Sequence, residues 1–562
     1  MPDILICAYK NQAENVEPLL AEVAQKIGPD NIATNHTLYR DGMAYLVKID
    51  LNGASDKENE ATLGHKFGND SSFDGGFAYA KVDGGSVELE TDCVASKTLW
   101  YYWDDNKFFA STSQRAIIMA KGSYIQNRNS VYSFLNSGII IQGQSWDSEI
   151  KPLEKNSSFV FNTETWTSRI SSREEKQYYQ DIIPKAKQMD ALRGAISDAL
   201  DNFDTDYDRA VLPLSGGYDS RFLLLSLLDR GRRPQAVTWG RAESLQDPDN
   251  DAVIARRLAN HFNLSHSYCE TFTTDESLEK RVIRFIRMGE GRIENLNAYM
   301  DGFALWKNLR DSGKTGIIRG DQFFGWSPVA TMRDVLNSCA MLSGDLYDNA
   351  ELIDELSSYR GSAPEGCARR KGESLPQWRD RLYQDYMVPS FYAALNYIKQ
   401  KYVTVYTPFY SKGVQNVVRS LPDKQRTSKR LFKQIVNARF SEIPIAKRPA
   451  NIQFSGLFSD TEFIDLVASN IALLKDTKFF TPAGIDAIIQ HLRQSSSGTS
   501  NDSTNKKSIG SLLPPSVKSL IKRSGLYKQH YYLDPKQVAL RLLIIQLVDD
   551  TFNNDARRLK AR

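Results

Sequence analysis

The hexapeptide Ser215-Gly216-Gly217-Tyr218-Asp219-Ser220 stands between two apolar runs. The run before it, Ala210-Val211-Leu212-Pro213-Leu214, has the length and composition of a buried strand. The run after it, from Arg221 through Phe222-Leu223-Leu224-Leu225 to Asp229, is helix-length and closes at Gly231. Strand, Gly-rich turn and helix in that order predict an anion site. The first N–H groups of the helix and its dipole point at one place, where a phosphate is favoured. Two glycines let the backbone approach such a group closely. Ser215 and Ser220 can add hydroxyl donors, and Asp219 can hold a Mg2+. An ordinary turn of an α/β domain is the plainer reading, and the flanking strand and helix weigh against it.

No G-x-x-x-x-G-K-[ST] loop occurs in the chain. The hexapeptide instead resembles S-G-G-x-D-S, the pyrophosphate-binding loop of the adenylating ATP pyrophosphatases. Those enzymes split ATP between its alpha and beta phosphates and transfer AMP to an oxygen.

The chain has 562 residues, 41% of them hydrophobic and 25% charged, which fits a globular protein of two or three domains. The net charge of +3 argues neither for nor against nucleic acid, and the lack of a Lys/Arg run with interleaved aromatics leads us to expect no nucleic-acid partner. Cys7, Cys93, Cys269, Cys339 and Cys367 form no C-x-x-C pair, as expected for a reducing cytoplasm and against a structural zinc. The first residues, Met1-Pro2-Asp3-Ile4-Leu5, do not read as a signal peptide, and no apolar run is long enough for a membrane span.

Residues 1 to about 125 read as strands separated by turns. The strands are Ala44–Ile49, Phe77–Val82 and Ser86–Leu89, and the turns are Asp41-Gly42, Asp74-Gly75-Gly76 and Asp83-Gly84-Gly85. Asp104-Asp105-Asn106 predicts a hairpin between Trp100–Trp103 and Lys107–Ala110. The series Asp74-Gly75-Gly76-Phe77-Ala78, Leu99-Trp100-Tyr101-Tyr102 and Phe108-Phe109-Ala110-Ser111 resembles the N-terminal glutaminase domain of asparagine synthetases. That domain uses an N-terminal cysteine as nucleophile, exposed when Met is removed. Here the second residue is Pro2, which has no thiol. Cys7 lies in an apolar run and reads as core. The resemblance therefore implies a degenerate glutaminase-like domain that has lost glutamine hydrolysis. Phe134–Ile140 and Ile150–Leu153 resemble the family's inter-domain connection, and Lys185 to Phe203 predicts an amphipathic helix.

Ala236–Gly240 and His266–Cys269 predict further parallel strands, with a helix from Asp247 to Asn260 between them. His261 and His266 have no partners at metal-ligand spacing and read as structural. The resemblance implies that backbone near Leu214 and Val237 holds adenine. Gly316-Ile317-Ile318-Arg319 predicts a strand running into Gly320-Asp321-Gln322-Phe323-Phe324-Gly325. This segment resembles the family's G-A-D-E-L-F-G-G, with Gln322 in place of glutamate. By that resemblance Asp219 and Asp321 share Mg2+ on ATP, and Gly320 borders the nucleotide. The alternative for Asp321 is a simple helix cap.

Tyr406-Thr407-Pro408-Phe409-Tyr410 resembles the family's R-x-P-F-L-D, with Tyr406 replacing arginine, Ser411 replacing aspartate, and Thr404 where glutamate is common. A general base is thereby unassigned. Ser420-Leu421-Pro422 followed by Lys429-Arg430-Leu431-Phe432-Lys433 resembles the family's L-P then K-x-L-R segment. By that resemblance Lys429 is a cation beside the alpha phosphate, able to stabilise charge as pyrophosphate leaves; the alternative is a solvated surface lysine. Lys447, in Lys447-Arg448-Pro449, is the candidate of a loop that closes over pyrophosphate in the family. Gln494 to Lys507 predicts a flexible loop. A last helix opening at Asp534-Pro535 carries apolar residues on two sides.

The expected architecture is α/β. An Ntn-type αββα sandwich covers 1–180. An α/β ATP pyrophosphatase (PP-loop) domain of the adenine nucleotide alpha hydrolase type, with a helical C-terminal part, covers 181–562. The function implied is an ATP- and Mg2+-dependent, AMP-forming amide ligase, cytoplasmic and without glutaminase activity. It would join a small-molecule, peptide or saccharide carboxylate to an amine or ammonia, and a partner protein of the same biosynthetic pathway fits this reading. Relatives of the kind include β-lactam synthetases, lasso-peptide cyclases and enzymes that amidate surface polysaccharides. Two rivals stand beside it. One is an inactive scaffold, favoured by Thr404 and Gln322. The other is an adenylating enzyme that installs sulfur or modifies a nucleotide, which would need a reactive cysteine pair or a nucleic-acid surface.

Overall fold

The computed structural model describes residues 3–11, 16–50, 57–67, 74–141, 143–176, 178, 181–203, 205–271, 274–321, 328–341, 366–450, 454–477, 479–496 and 534–558. Pro2, and Gln322 with the Phe324-Gly325 match, lie outside them.

Eleven strands occupy the first 172 positions among these residues. They are β1 (Asp3–Tyr9), β2 (His36–Asp41), β3 (Ala44–Ile49), β4 (Glu60–Phe67), β5 (Asp74–Asp83), β6 (Ser86–Thr91), β7 (Trp100–Trp103), β8 (Lys107–Ser111), β9 (Lys151–Pro152), β10 (Ser157–Asn162) and β11 (Thr167–Ser172). They form two antiparallel sheets, ordered β2-β3-β1-β8-β7-β9 and β11-β10-β6-β5-β4. Period-two alternation sends Ile4, Ile6, Leu46 and Phe108 of the first sheet toward Leu63, Ala80, Val87 and Phe159 of the second, and these form one buried core. The opposite side of the first sheet, including Leu5, Cys7, Val47 and Phe109, packs with the helices Val16–Lys26 and Gln114–Lys121. Cys7 is fully buried in β1, and burial pushes its thiol pKa up, as befits a core residue. The hairpin at Asp104 is present: Asp104 Oδ1 accepts the Asn106 and Lys107 N–H groups, each at 2.8 Å.

Asp74-Gly75-Gly76 is not a turn. It is the start of β5, paired with His65, Lys66 and Phe67 of β4. Gly64 and Gly75 have φ of +98° and +132°, so the ladder bends without breaking. Beyond the bend, His65 packs against Phe203 and Tyr406 at ring separations of 5.1 and 5.8 Å. The helices Val16–Lys26 and Gln114–Lys121 lie with the first sheet, and Arg128–Ser137 packs with the helix Pro535–Arg558. The second sheet at β4 and β5 meets Phe203, Tyr406 and Thr407 instead. The second helical layer of an αββα sandwich is thus absent among the described residues before 173.

After the helix Gln188–Asp201 the chain builds a wholly parallel sheet. Its strands are β12 (Ala210–Pro213), β13 (Gln235–Gly240), β14 (His266–Glu270), β15 (Gly316–Ile318) and β16 (Thr404–Tyr406), in the order β14-β13-β12-β15-β16. β12 is central, and its near-continuous apolar run fits burial on both faces. The helix between β13 and β14 is Asp251–His261, shorter than expected, capped by Asn250.

The helix Pro535–Arg558 is buried around its circumference. Val538, Leu540, Leu542, Leu543, Ile544, Ile545 and Val548 are each at most 2% exposed. Gln494 to Ser496 continue the helix Pro482–Ser496, and the remainder of the predicted loop falls outside the described residues. Among the described residues no helix is long and apolar enough to cross a membrane.

Candidate active site

The C-terminal edge of a parallel sheet is where α/β folds place ligands. Here the central strand β12 leads into Ser215-Gly216-Gly217, and the helix Tyr218–Leu228 follows. Gly217 is the N-cap and offers no side chain, so the first N–H groups of an eleven-residue helix are left uncapped. The two serines knit the turn together. Ser220 Oγ accepts the Ser215 N–H at 3.1 Å and lies 2.9 Å from Ser215 Oγ, which in turn accepts the Gly217 N–H at 3.2 Å. Gly216 donates its N–H to Asp251 Oδ1 at 3.1 Å. Burial raises the Asp251 carboxyl pKa, against the pull of that N–H. A Cβ on Gly216 would stand 2.5 Å from Ala446 Cβ, so glycine is required by close packing.

Lys429 is not a solvated lysine. Its Nζ lies 2.7 and 2.6 Å from the two oxygens of Asp219, and its side chain is 10% exposed. Ser428 and Lys429 both have φ of +55°, a left-handed conformation that costs energy in non-glycine residues. The preceding turn is clamped by Arg426, fully buried, whose Nε donates to Asp380 Oδ2 at 2.7 Å. The fold thus holds an ammonium against the carboxylate of the glycine-rich turn.

β15 supplies the neighbouring group. Gly320 crosses so near Asp219 that a Cβ there would lie 2.8 Å from the Asp219 carbonyl oxygen and 3.0 Å from its carbon. Gly320→Ala is therefore expected to destabilise the protein by about 1–3 kcal/mol and to weaken ligand binding at the turn. Urea denaturation and a nucleotide titration check this. Wild-type values in both would contradict it. Asp321 accepts Arg319 Nε on Oδ1 at 2.7 Å and Asn396 Nδ2 on Oδ2 at 2.8 Å. Burial alone would raise its carboxyl pKa. The Arg319 charge, the Asn396 bond and the Lys399 charge outweigh burial and hold it below the usual range. Asp321 is therefore an ion-pair and hydrogen-bond centre, and the residues it would cap lie outside the described ones.

Between the turn and β15 lies a cleft of about 320 Å³. Leu214, Ser215, Asp219 and Ser220 form one side, Arg319, Gly320 and Asp321 the other. Thr238, Trp239, Asp251, Tyr392 and Ala450 complete the wall. Tyr392 ends a wide π-type stretch, Tyr383–Tyr392, which contains Pro389 and is thereby denied regular helical hydrogen bonding.

Not every expected residue reaches the cleft. Val237 is fully buried, and its carbonyl accepts the Leu214 N–H at 2.9 Å. The wall is formed by the next two residues, Thr238 and Trp239, and Thr238 Oγ1 donates to the Leu214 carbonyl at 2.6 Å. Two backbone groups expected to face adenine are thus paired within the fold. Lys447 does not line the cleft either. Its side chain is 71% exposed, and Nζ sits 3.1 Å from Asp249 Oδ2. Its segment nevertheless straps the turn: the Ala446 N–H donates to the Gly216 carbonyl at 3.1 Å, and Arg221 donates to the carbonyls of Ile443 and Pro444 at 2.6 and 2.7 Å.

No group of three or more His, Cys, Asp or Glu that could hold a metal occurs among the described residues. Mg2+ needs only one or two carboxylates with phosphate oxygens and waters. Asp219 fits that demand, since each carboxylate oxygen keeps a lone pair after one hydrogen bond. Asp321 meets the same demand, with one hydrogen bond on each oxygen and a guanidinium beside it where Asp219 has an ammonium. Arg319, Trp239, Asp251, Tyr392 and Asn396 escaped the sequence reading. Arg319, Trp239 and Asp251 stood there only as members of predicted strands and a predicted helix.

No family model matches the chain, and no curated protein matches it. A solved structure that aligns with it is the U34-tRNA thiolase NcsA from Methanococcus maripaludis with its [4Fe-4S] cluster. The identity is 10%, over 64% of this chain and 97% of that one, with a TM-score of 0.23. At that score the likeness carries no inference about this chain.

Proposed function

We propose that this protein is an ATP-dependent carbon–nitrogen ligase that adenylates a carboxylic acid and joins it to an amine or ammonia. The observation that carries this reading is Lys429 set against Asp219 at an uncapped helix N-terminus, on the C-terminal edge of the central parallel strand. Phosphates fit over the turn, where N–H groups and the helix dipole converge. The indole of Trp239 offers an aromatic wall to a planar base. Mg2+, held by Asp219 together with phosphate oxygens, would neutralise charge on the leaving pyrophosphate.

In the first step an oxygen of the acid attacks the alpha phosphorus, and the bond to the beta-phosphate oxygen breaks. Lys429 stabilises the charge that accumulates there. In the second step the nitrogen attacks the acyl carbon, the bond to AMP breaks, and the nitrogen loses a proton. Positioning of the three reactants in the cleft supplies much of the acceleration. ATP incubated with panels of acids and amines should give AMP and pyrophosphate in a combination-dependent way. Formation of ADP and phosphate instead would overturn the adenylation chemistry.

A further inference from the structure

Arg319 borders the cleft with most of its hydrogen-bonding capacity unspent. A guanidinium carries five N–H donors in a planar fork. Nε is used on Asp321, and neither Nη1 nor Nη2 makes a hydrogen bond to a described residue. The side chain is 21% exposed and borders the cleft. Its orientation is fixed from both ends. The Arg319 N–H donates to the Tyr406 carbonyl at 2.9 Å, and Asp321 is itself pinned by Asn396 at 2.8 Å.

We infer that Arg319, aimed by Asp321, is a specificity-determining residue that receives an anionic group of the acid substrate. This rests on the ligase reading just given and extends it to the choice of acid. Sheet order separates Arg319 from the base side of the site. Thr238 and Trp239 lie in β13 on one flank of β12, and Arg319 follows β15 on the other. The phosphates over the turn lie between them. A carboxylate clamped at both oxygens by a guanidinium is a poor nucleophile. The group Arg319 holds is therefore a second anion of the acid, not the carboxylate that attacks phosphorus. Both signs of charge surround it, with Asp219, Asp251 and Asp321 on the same cleft. Lys399 and Lys97 lie near Arg319, and burial together with these mutual positive charges pulls the pKa values of both lysines down.

The test labels wild-type protein with phenylglyoxal and reads Arg319 modification by peptide mass. The protein is taken free, with millimolar succinate as a small dicarboxylate, with a non-hydrolysable ATP analogue, and with both. Arg319 should be modified in the free protein and with the nucleotide alone, and protected by succinate. A succinate titration of Arg319→Gln should show affinity about tenfold or more below wild type, with Arg319→Lys intermediate. An unreactive Arg319 in the free protein would overturn the proposal, as would absence of succinate protection. Protection by the nucleotide alone would assign Arg319 to a phosphate and also overturn it. Failure of the nucleotide to bind would instead strike the ligase reading, while the labelling of free protein and its response to succinate would still be measurable.

Discussion

Asp380→Ala is expected to destabilise the protein by about 3–5 kcal/mol, because it leaves two buried guanidiniums without the carboxylate they share. Asp380 is 2% exposed. Arg379 donates to its Oδ1 from Nε and Nη2 at 2.9 and 2.8 Å, and Arg426 donates to Oδ2 at 2.7 Å. Neither arginine can shed its proton to relieve the imbalance. The damage should also reach the site. Arg426 precedes the strained Ser428-Lys429 pair, and a φ of +55° at both residues persists only while the surrounding turn is held. Chemical denaturation measures the first effect, and a nucleotide titration below the transition measures the second. A stability loss under about 1 kcal/mol would show that other partners carry the arginines.

Lys97→Met is expected to stabilise the protein by about 3 kcal/mol at pH 7. Lys97 is 2% exposed, and its Nζ makes no hydrogen bond among the described residues. Asp92, the acid that attracts it most, spends its oxygens on the N–H groups of Phe77, Val94 and Ser96 and on the Ser96 hydroxyl. Burial therefore pushes the Lys97 pKa down from 10.5 to about 8, against the attraction of Asp92 and Asp321 and with added repulsion from Arg319. A lysine whose folded pKa lies below its unfolded value destabilises the fold fully below the folded pKa. The penalty is relieved as pH rises from about 8 to 10.5. The gap between Lys97→Met and wild type should thus be widest at neutral pH and close by about pH 10.5. Methionine fills the space of the aliphatic stem at little packing cost. Unfolding curves at several pH values test this. A pH-independent difference would mean that packing, not charge, sets it.

What the sequence disclosed and withheld follows locality. Ser215–Ser220 was legible because strand, glycine turn and helix are contiguous, and each step has its own residue signature. Gly320 and Asp321 were legible because a β-branched strand ends beside them. Lys429 could be named as a cation but not placed, since its position depends on a left-handed pair anchored by Asp380, far off in the chain. Thr238 and Trp239, not Val237, line the cleft, since along a strand one residue exchanges the two faces. Asp74-Gly75-Gly76 looks like a turn in composition, yet a paired strand used the glycines to bend. Arg319 and Asn396 meet only through Asp321, and Tyr392 arrives on a proline-interrupted helix that local propensity would break.

The central claim is that the Asp219 turn binds a nucleotide. Calorimetric titration of wild type and Asp219→Ala with Mg2+ and a non-hydrolysable ATP analogue addresses it most directly. The account predicts saturable binding by wild type and a loss of about tenfold or more in Asp219→Ala. Absence of binding by wild type, or equal binding by the two proteins, would contradict it.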